Sequence, residues 1–226
     1  MVNELVAARL GAVLGLPVPP GAVVPAAGGA ASWMTMSFLP NPGMLPMINP
    51  GDAYAAHPSL CAGVAVFDLL IANRDRHAGN LALTTGPVLH VGGPADASRL
   101  EVFDHSHALA YATKTNVPVY LTEIQGSFVI SGAEPAAPGA RCAVLDSLTS
   151  VSDVWAWCSR VQSMLTDEVI DEICMEAGML TSDFDAAAAK ALRVFLKHRR
   201  DSLKPLILAN KVEFKGIPDT DWPATS

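Results

Sequence analysis

An apolar run at residues 60–72 leads directly into a tight polar segment at residues 73–80. Within the run, Val64, Phe67 and Ile71 recur at spacings of three and four residues, which predicts a helix. The polar segment then offers a carboxylate, two cations and an amide within a few residues of the helix end. The fold must therefore gather several reactive groups at one point of the molecule.

A predicted hairpin follows this segment. Short apolar stretches at residues 81–83 and 100–103 flank a region rich in Gly, Pro and Asp, which is typical of two strands joined by a turn. Antiparallel strands bring sequence-distant ends together. We therefore expect Asp104, at the end of the second stretch, to lie next to Asn80.

These residues have the composition of a phosphoryl-transfer centre. Such a centre needs a carboxylate that orients and deprotonates a hydroxyl, and oxygen ligands that hold Mg²⁺ on the phosphates. Asp75 is the candidate base, and Asn80 and Asp104 are the candidate Mg²⁺ ligands. Asp75 and Asn80 are five residues apart, as the base and the metal-binding Asn are in kinase catalytic loops. Each residue alone is more simply interpreted as a turn residue; their combination favours the catalytic interpretation.

Four neighbouring residues are predicted to support this centre. Asn73 is expected to bond to the loop backbone, Arg76 to pair with an acidic group, and His77 to brace the loop. Asp68 lies in the apolar run, and a buried carboxylate without a partner is costly, so it should face a cation or a backbone donor.

Two other patterns admit alternatives. His105 and His107 would point the same way on an extended backbone and, with Asp104, could serve a metal-dependent hydrolase. No third histidine lies at a zinc-binding spacing, which favours a position at the rim of a nucleotide site. The basic residues 197–200 are interpreted as a solvated helix face.

Charge and hydropathy exclude several classes of protein. A net charge of −7 and a pI near 5.2 argue against a nucleic-acid-binding surface. No apolar run reaches the length of a membrane span, and the N-terminus lacks a signal-peptide pattern. The four cysteines are widely spaced and predict buried thiols in a reducing compartment, so we expect a cytoplasmic protein. The length of 226 residues predicts one domain of two lobes or a single compact domain.

The remaining pattern is mostly helical. A first helix should end at Gly15, and Pro205 should kink or shorten the last one. Residues 33–39 indicate a strand or an extended connector. Loops are predicted at residues 40–51 and 131–140. Three helices are predicted near residues 150–164, 166–177 and 183–209.

The chain resembles the HipA-like kinases, whose catalytic design is shared with phosphoinositide kinases. Residues 3–19, with their Leu-Gly-Leu-Pro-Val-Pro exit, resemble the regulatory-helix segment of that family. Residues 73–81 resemble its catalytic loop, residues 102–109 its metal-binding segment, and residues 195–203 its final helix.

The resemblance implies a fold and a set of roles. It implies an α+β, protein-kinase-like fold that is mostly the helical C-terminal lobe with a short metal-site β-hairpin. Residues 1–50 would be a regulatory-helix and hinge-like segment, and residues 51–226 the catalytic lobe. It also implies ATP and Mg²⁺ as cofactors, Asp75 as the base, Asn80 and Asp104 as metal ligands, and Glu4 as the partner of an ATP-binding lysine. No lysine precedes Glu4, so we expect the N-terminal ATP lobe to be missing or much reduced.

Two functions from different classes remain open. The first is an ATP- and Mg²⁺-dependent phosphotransferase that acts on a protein Ser/Thr hydroxyl or on a small alcohol. The second is an inactive kinase-lobe binding module, or a half-kinase that needs a partner chain for its ATP lobe. The absent lysine favours the second, whereas Asp75, Asn80 and Asp104 favour the first.

Overall fold

The computed structural model describes residues 1–25, 31–35, 48–84, 98–109, 116–129, 142–180 and 184–223. These residues form seven α-helices: α1 (Val2–Leu14), α2 (Pro50–Ala56), α3 (Pro58–Leu70), α4 (Val117–Ile124), α5 (Val151–Met164), α6 (Asp167–Leu180) and α7 (Ala186–Ala209). They also form four strands: β1 (Gly21–Pro25), β2 (Ala31–Thr35), β3 (Leu81–Thr84) and β4 (Arg99–Val102). The architecture is α+β and predominantly helical.

Helix α3 lies at the centre of the core. Every residue from Cys61 to Leu70 is buried, and the helix packs against α2, α5 and α7. Gly63 allows the close contact with α5, because a Cβ there would lie 2.5 Å from the ring of Trp157. The apolar run therefore forms the predicted helix and holds the polar segment after it in a fixed position.

The N-terminal helix packs against α5 and α6. It ends where the sequence predicts, since Gly15 adopts a left-handed backbone with φ of 69° and its N–H bonds back to the helix. The chain then enters β1, which pairs antiparallel with β2. Residues 33–35 of β2 fall in the predicted extended segment, and the rest of that segment lies outside the described residues.

The second sheet is the predicted hairpin. Strands β3 and β4 pair antiparallel, with Leu81 opposite Val102. Beyond the pair, the backbone N–H of Phe103 donates to the carbonyl of Asn80 at 3.2 Å. The hairpin thereby brings Asp104 next to Asn80, as the sequence predicts.

The three predicted C-terminal helices are present as α5, α6 and α7, and α7 ends at residue 209, as the sequence predicts. Helix α7 continues through Pro205 to Ala209, so the proline does not shorten it. Pro205 is exposed, as is Asp201, the residue whose carbonyl loses its helical bond, and the buried Leu203 and Ile207 hold the helix on either side of the proline.

Residues 197–200 are not a solvated face. Arg199 is fully buried because it continues the apolar stripe of α7, and it donates to the carbonyls of Ser127 and Leu69. Lys197 and Arg200 both pair with Asp167 of α6, at 3.3 and 2.8 Å. The basic run therefore joins α7 to its neighbours.

Helices α2 and α4 have no counterpart among the predicted elements. Each begins with an asparagine whose side chain caps the first turn: Asn49 accepts from the N–H of Gly51, and Asn116 from that of Val119. Most of the loops predicted at residues 40–51 and 131–140 lies outside the described residues. The division of the chain at residue 50 stays a prediction.

The four cysteines are free and buried, as the sequence predicts. Burial raises the pKa of Cys61, Cys158 and Cys174 to about 12 and that of Cys142 well above its ordinary value. None of the described helices is long and apolar enough to cross a bilayer.

Candidate active site

The candidate catalytic loop begins with a sharp turn after α3. Ala72 adopts a left-handed backbone with φ of 49°, and the N–H of Asn73 bonds to the carbonyl of Asp68 at 2.8 Å. The buried Asn73 side chain donates to Asp68 Oδ1 at 2.9 Å and accepts from the N–H of Asp75 at 3.2 Å. Asn73 thus fixes the backbone that carries Asp75.

A buried ion pair lies beneath this loop. The side chains of Arg76 and Asp68 are both 0% exposed, and Nε of Arg76 lies 3.1 Å from Asp68 Oδ2. Nη1 of the same guanidinium donates to the carbonyl of Asn80 at 2.9 Å and to that of Phe103 at 2.5 Å. Arg76 therefore joins α3, the catalytic loop and the segment of Asp104 through one side chain.

Asn80 is held by both its side chain and its backbone. It is 5% exposed and ends the short 3-10 turn Ala78–Asn80. Its Nδ2 donates to the carbonyl of Asp75 at 2.7 Å. Because Nδ2 is a donor, a cation at this residue would be bound through Oδ1.

Asp104 follows β4 in a left-handed conformation with φ of 54°. Its Oδ1 accepts from the Ser106 hydroxyl at 2.7 Å and from the Ser106 N–H at 3.2 Å. Partial burial raises the pKa of Asp104. The two hydrogen bonds from Ser106 and the charges of Arg76 and His107 lower that pKa by more than burial raises it, so it lies below its ordinary value. An ionised carboxylate that remains accessible to solvent suits a hard cation such as Mg²⁺.

Asp75 lies between two imidazole rings. Its Oδ2 is 4.0 Å from Nε2 of His77 and 3.9 Å from Nε2 of His107. The Asp75 side chain is 18% exposed, so it is partly accessible to solvent. The position of His77 is set by its Nδ1, which accepts from the N–H of Gly79 at 3.0 Å.

Helix α1 contacts the segment that carries Asp104. Glu4 Oε1 accepts from the N–H of His105 at 2.6 Å, and Glu4 Oε2 lies 3.4 Å from Nδ1 of that ring. Asn3 donates to the carbonyl of Ser106 at 2.7 Å. Within the described part of the chain, Glu4 pairs with His105 and not with a lysine.

The structure separates His105 from His107. The ring of His105 is buried against Phe67 and Glu4, and this burial lowers its pKa, whereas His107 faces Asp75. Among the residues whose positions are described, no group of three or more His, Cys, Asp or Glu side chains could hold a metal ion.

Sequence reasoning missed three contacts in this region. Cys142 donates from Sγ to Asp68 Oδ2 at 3.6 Å, and the N–H of Ala143 bonds to the carbonyl of Arg76 at 2.8 Å. His107 approaches Asp75, although its sequence position suggested the rim of a nucleotide site. None of these contacts has a local signal, because the two partners in each lie far apart in sequence.

The fold is kinase-like, with the candidate loop at the end of a buried helix and the candidate metal residues at a hairpin. The chain is similar to the crystal structure of a Helicobacter pylori proinflammatory kinase, CtkA, with a TM-score of 0.58 over 93% of this chain and 86% of that chain. Sequence identity is 15%, so the likeness concerns the fold. No protein-family model matches the chain, and no curated protein matches its sequence.

Proposed function

We propose that this chain is a HipA-like phosphotransferase that moves the γ-phosphoryl group of ATP to a hydroxyl, with Mg²⁺ as cofactor. The acceptor would be a Ser or Thr hydroxyl of a protein, or that of a small alcohol. The supporting observation is the contact of Arg76 with the carbonyls of both Asn80 and Phe103, which assembles the loop of Asp75 and the segment of Asp104 into one centre.

Asp75 would act as the base. Asn73 and Asn80 hold its backbone from two sides, so its carboxylate is presented to a hydroxyl at a fixed position. There it orients the hydroxyl for in-line attack and accepts its proton as transfer proceeds. Positioning is the larger part of this role, since phosphoryl transfer requires little other chemistry from the protein.

Asn80 and Asp104 would hold Mg²⁺. One amide oxygen and one carboxylate are the hard ligands that this ion prefers, with waters and phosphate oxygens completing its coordination. When bound, Mg²⁺ neutralises charge on the phosphate oxygens. The hydrogen bond between the N–H of Phe103 and the carbonyl of Asn80 keeps the two ligands adjacent.

A binding module, or a half-kinase completed by a partner chain, is the second candidate. The observation that favours it is the pairing of Glu4 with His105, since no lysine contacts Glu4 within the described residues. A lobe from another polypeptide would bring the ATP-binding lysine to Glu4. For either candidate we propose the cytoplasm, where ATP is present and the four free thiols stay reduced.

The test is release of ADP from MgATP, with and without a mixture of Ser- and Thr-containing peptides. Asp75→Asn keeps the shape of the side chain and removes the base, so it should abolish turnover while the circular dichroism spectrum stays unchanged. Asp52→Asn, at an exposed position of α2, is the matched control and should retain activity. Turnover by Asp75→Asn at the wild-type rate would rule out the assigned base.

The same assay separates the two candidates. A binding module predicts that the wild type and Asp75→Asn are equally inactive. A half-kinase predicts turnover that appears only after a second polypeptide is added and that still requires Asp75.

A further inference from the structure

A groove lies between helices α6 and α7 and shares no residue with the candidate active site. Its volume is about 410 Å³, within the range of about 300–1,000 Å³ that is usual for ligand-binding sites. Most of its lining is apolar, and the buried side chains of Cys174, Phe184 and Ala189 form its base. The groove therefore offers space and apolar contacts to a ligand.

Two methionines of α6 lie beside this base and remain exposed. Met175 and Met179 line the groove, and 60% and 78% of their surface is accessible to solvent. They are four residues apart, so both lie on the same face of the helix. Covering such side chains is favourable, and the flexible thioether adapts to the shape of a partner. The base and the two methionines thus form one apolar surface that a partner can cover.

The charges at the groove are mostly negative. Glu172 and Asp185 are exposed residues of the lining, and neither is paired with a cation in the described part of the chain. Asp171 also lines the groove, but its charge is offset by Lys197 at 2.9 Å. The lining sets one guanidinium, that of Arg193, against the two unpaired carboxylates. Together with the net charge of −7 for the chain, this favours a partner with basic groups beside an apolar surface.

The walls of the groove favour a helical partner. They are two helices whose backbone groups are bonded internally, so an extended peptide finds no strand edge to pair with. A helix satisfies its own backbone and contributes only side chains. Along α6 the lining spans residues 171–179, about 12 Å at a rise of 1.5 Å per residue, which is about the length over which an amphipathic helix presents apolar residues at i, i+3, i+4 and i+7.

Charge disfavours two other occupants of the groove. A second copy of this chain carries the same net charge of −7 and the same acidic lining, so the two copies repel each other. The anionic lipids of a membrane surface are repelled in the same way.

We infer that the groove between α6 and α7 is a docking site for a basic amphipathic helix of another protein. Apolar side chains of that helix fill the base of the groove and cover Met175 and Met179, while its Lys or Arg residues pair with Glu172 and Asp185. The inference is independent of the proposed phosphotransferase function, since none of these residues belongs to the candidate active site.

Fluorescence anisotropy of synthetic peptides tests this site. The probes are helical peptides of Ala and Lys, about four turns long, with Leu, Met or Phe at i, i+3, i+4 and i+7 of one face. At least one of them should bind the wild-type chain with a Kd below about 1 mM. The double variant Met175→Gln, Met179→Gln keeps the charge and removes apolar contacts, so it should weaken binding by about tenfold. Glu172→Gln removes one exposed ion pair and should weaken binding by about twofold to fivefold.

Matched controls separate the groove from the rest of the surface. Met164→Gln changes an exposed methionine of α5 and Glu123→Gln an exposed glutamate of α4, and both variants should bind the peptide as the wild type does. All variants should melt within a few degrees of the wild type. Peptides with scrambled residues, or with Glu in place of Lys, should bind much more weakly.

Four results would overturn the inference. They are no binding by any of the peptides at about 1 mM, equal binding by the double methionine variant, equal binding of the Glu peptides, and a wild-type dimer in sedimentation equilibrium that the double methionine variant abolishes. The last result would assign the groove to a second copy of the chain.

Discussion

The carboxylate of Glu4 accepts a hydrogen bond from the backbone N–H of His105, with 2.6 Å between Oε1 and N. This bond joins the N-terminal helix to the residue that follows Asp104. The resemblance to HipA-like kinases implies a lysine as the partner of Glu4, whereas here the acid bonds to the candidate metal-binding segment. Within the proposed function, the position of α1 thereby affects the position of a metal ligand.

Replacing Glu4 should weaken the candidate nucleotide site. Glu4→Ala leaves the N–H of His105 without its acceptor, so we expect the free energy of unfolding to fall by about 1–3 kcal/mol. The stabilisation by MgATP should fall as well, because Asp104 is held less firmly. Thermal melting with and without MgATP measures both effects, with Glu123→Ala on the exposed face of α4 as the control. An unchanged response to MgATP would show that α1 does not position Asp104.

The ion pair between Arg76 and Asp68 should be costly to break. Arg76→Met leaves a fully buried carboxylate without its cation, removes the Arg76 donor from the carbonyl of Phe103, and leaves the carbonyl of Asn80 with only the N–H of Phe103, which together should cost about 3–5 kcal/mol. The double variant Asp68→Leu, Arg76→Met removes both charges and should recover part of that stability. It should not recover turnover, because the link between the loop and the segment of Asp104 is lost. Urea unfolding measures the stabilities, and a cost below about 1 kcal/mol for Arg76→Met would contradict this role.

The acid side of the pH–stability profile should depend on Ser106. The folded-state pKa of Asp104 lies below its ordinary value of 3.8, so its charge contributes stability that is present above that value and is lost as the pH falls through the folded-state pKa. Ser106→Ala removes the hydroxyl donor, which should raise the folded-state pKa and move this loss to higher pH. NMR titration of the Asp104 carboxyl carbon measures the shift. Ser163→Ala on α5 is the control, and an identical titration in Ser106→Ala would contradict the assignment.

Local sequence patterns predicted the elements that position the candidate site. The spacing of apolar residues in α3, the glycine that ends α1 and the paired apolar stretches of β3 and β4 are short-range signals, and each element forms where it was predicted. The hairpin then places Asp104 beside Asn80 without further information, because strand pairing determines which ends meet.

The contacts between distant segments could not be predicted in this way. Arg199 is buried because α7 directs it toward the carbonyl of Leu69 at the end of α3, and nothing near residue 199 indicates that partner. The approach of His107 to Asp75 likewise depends on how two separate loops pack together. A basic run or a pair of histidines in a sequence is compatible with several structural roles, and the tertiary packing determines which role it has.

Thermal melting of the wild type and Asp104→Ala with MgATP tests the phosphotransferase centre most directly. At about a hundred times its Kd, a ligand adds about 2.7 kcal/mol to the stability of the folded state, which for a chain of this size raises Tm by roughly 5–10 °C. We predict a rise of this order for the wild type with MgATP, a much smaller rise when Mg²⁺ is omitted, and none for Asp104→Ala. An equal rise in Asp104→Ala, or no rise in the wild type, would contradict a Mg²⁺-dependent nucleotide site at Asp104.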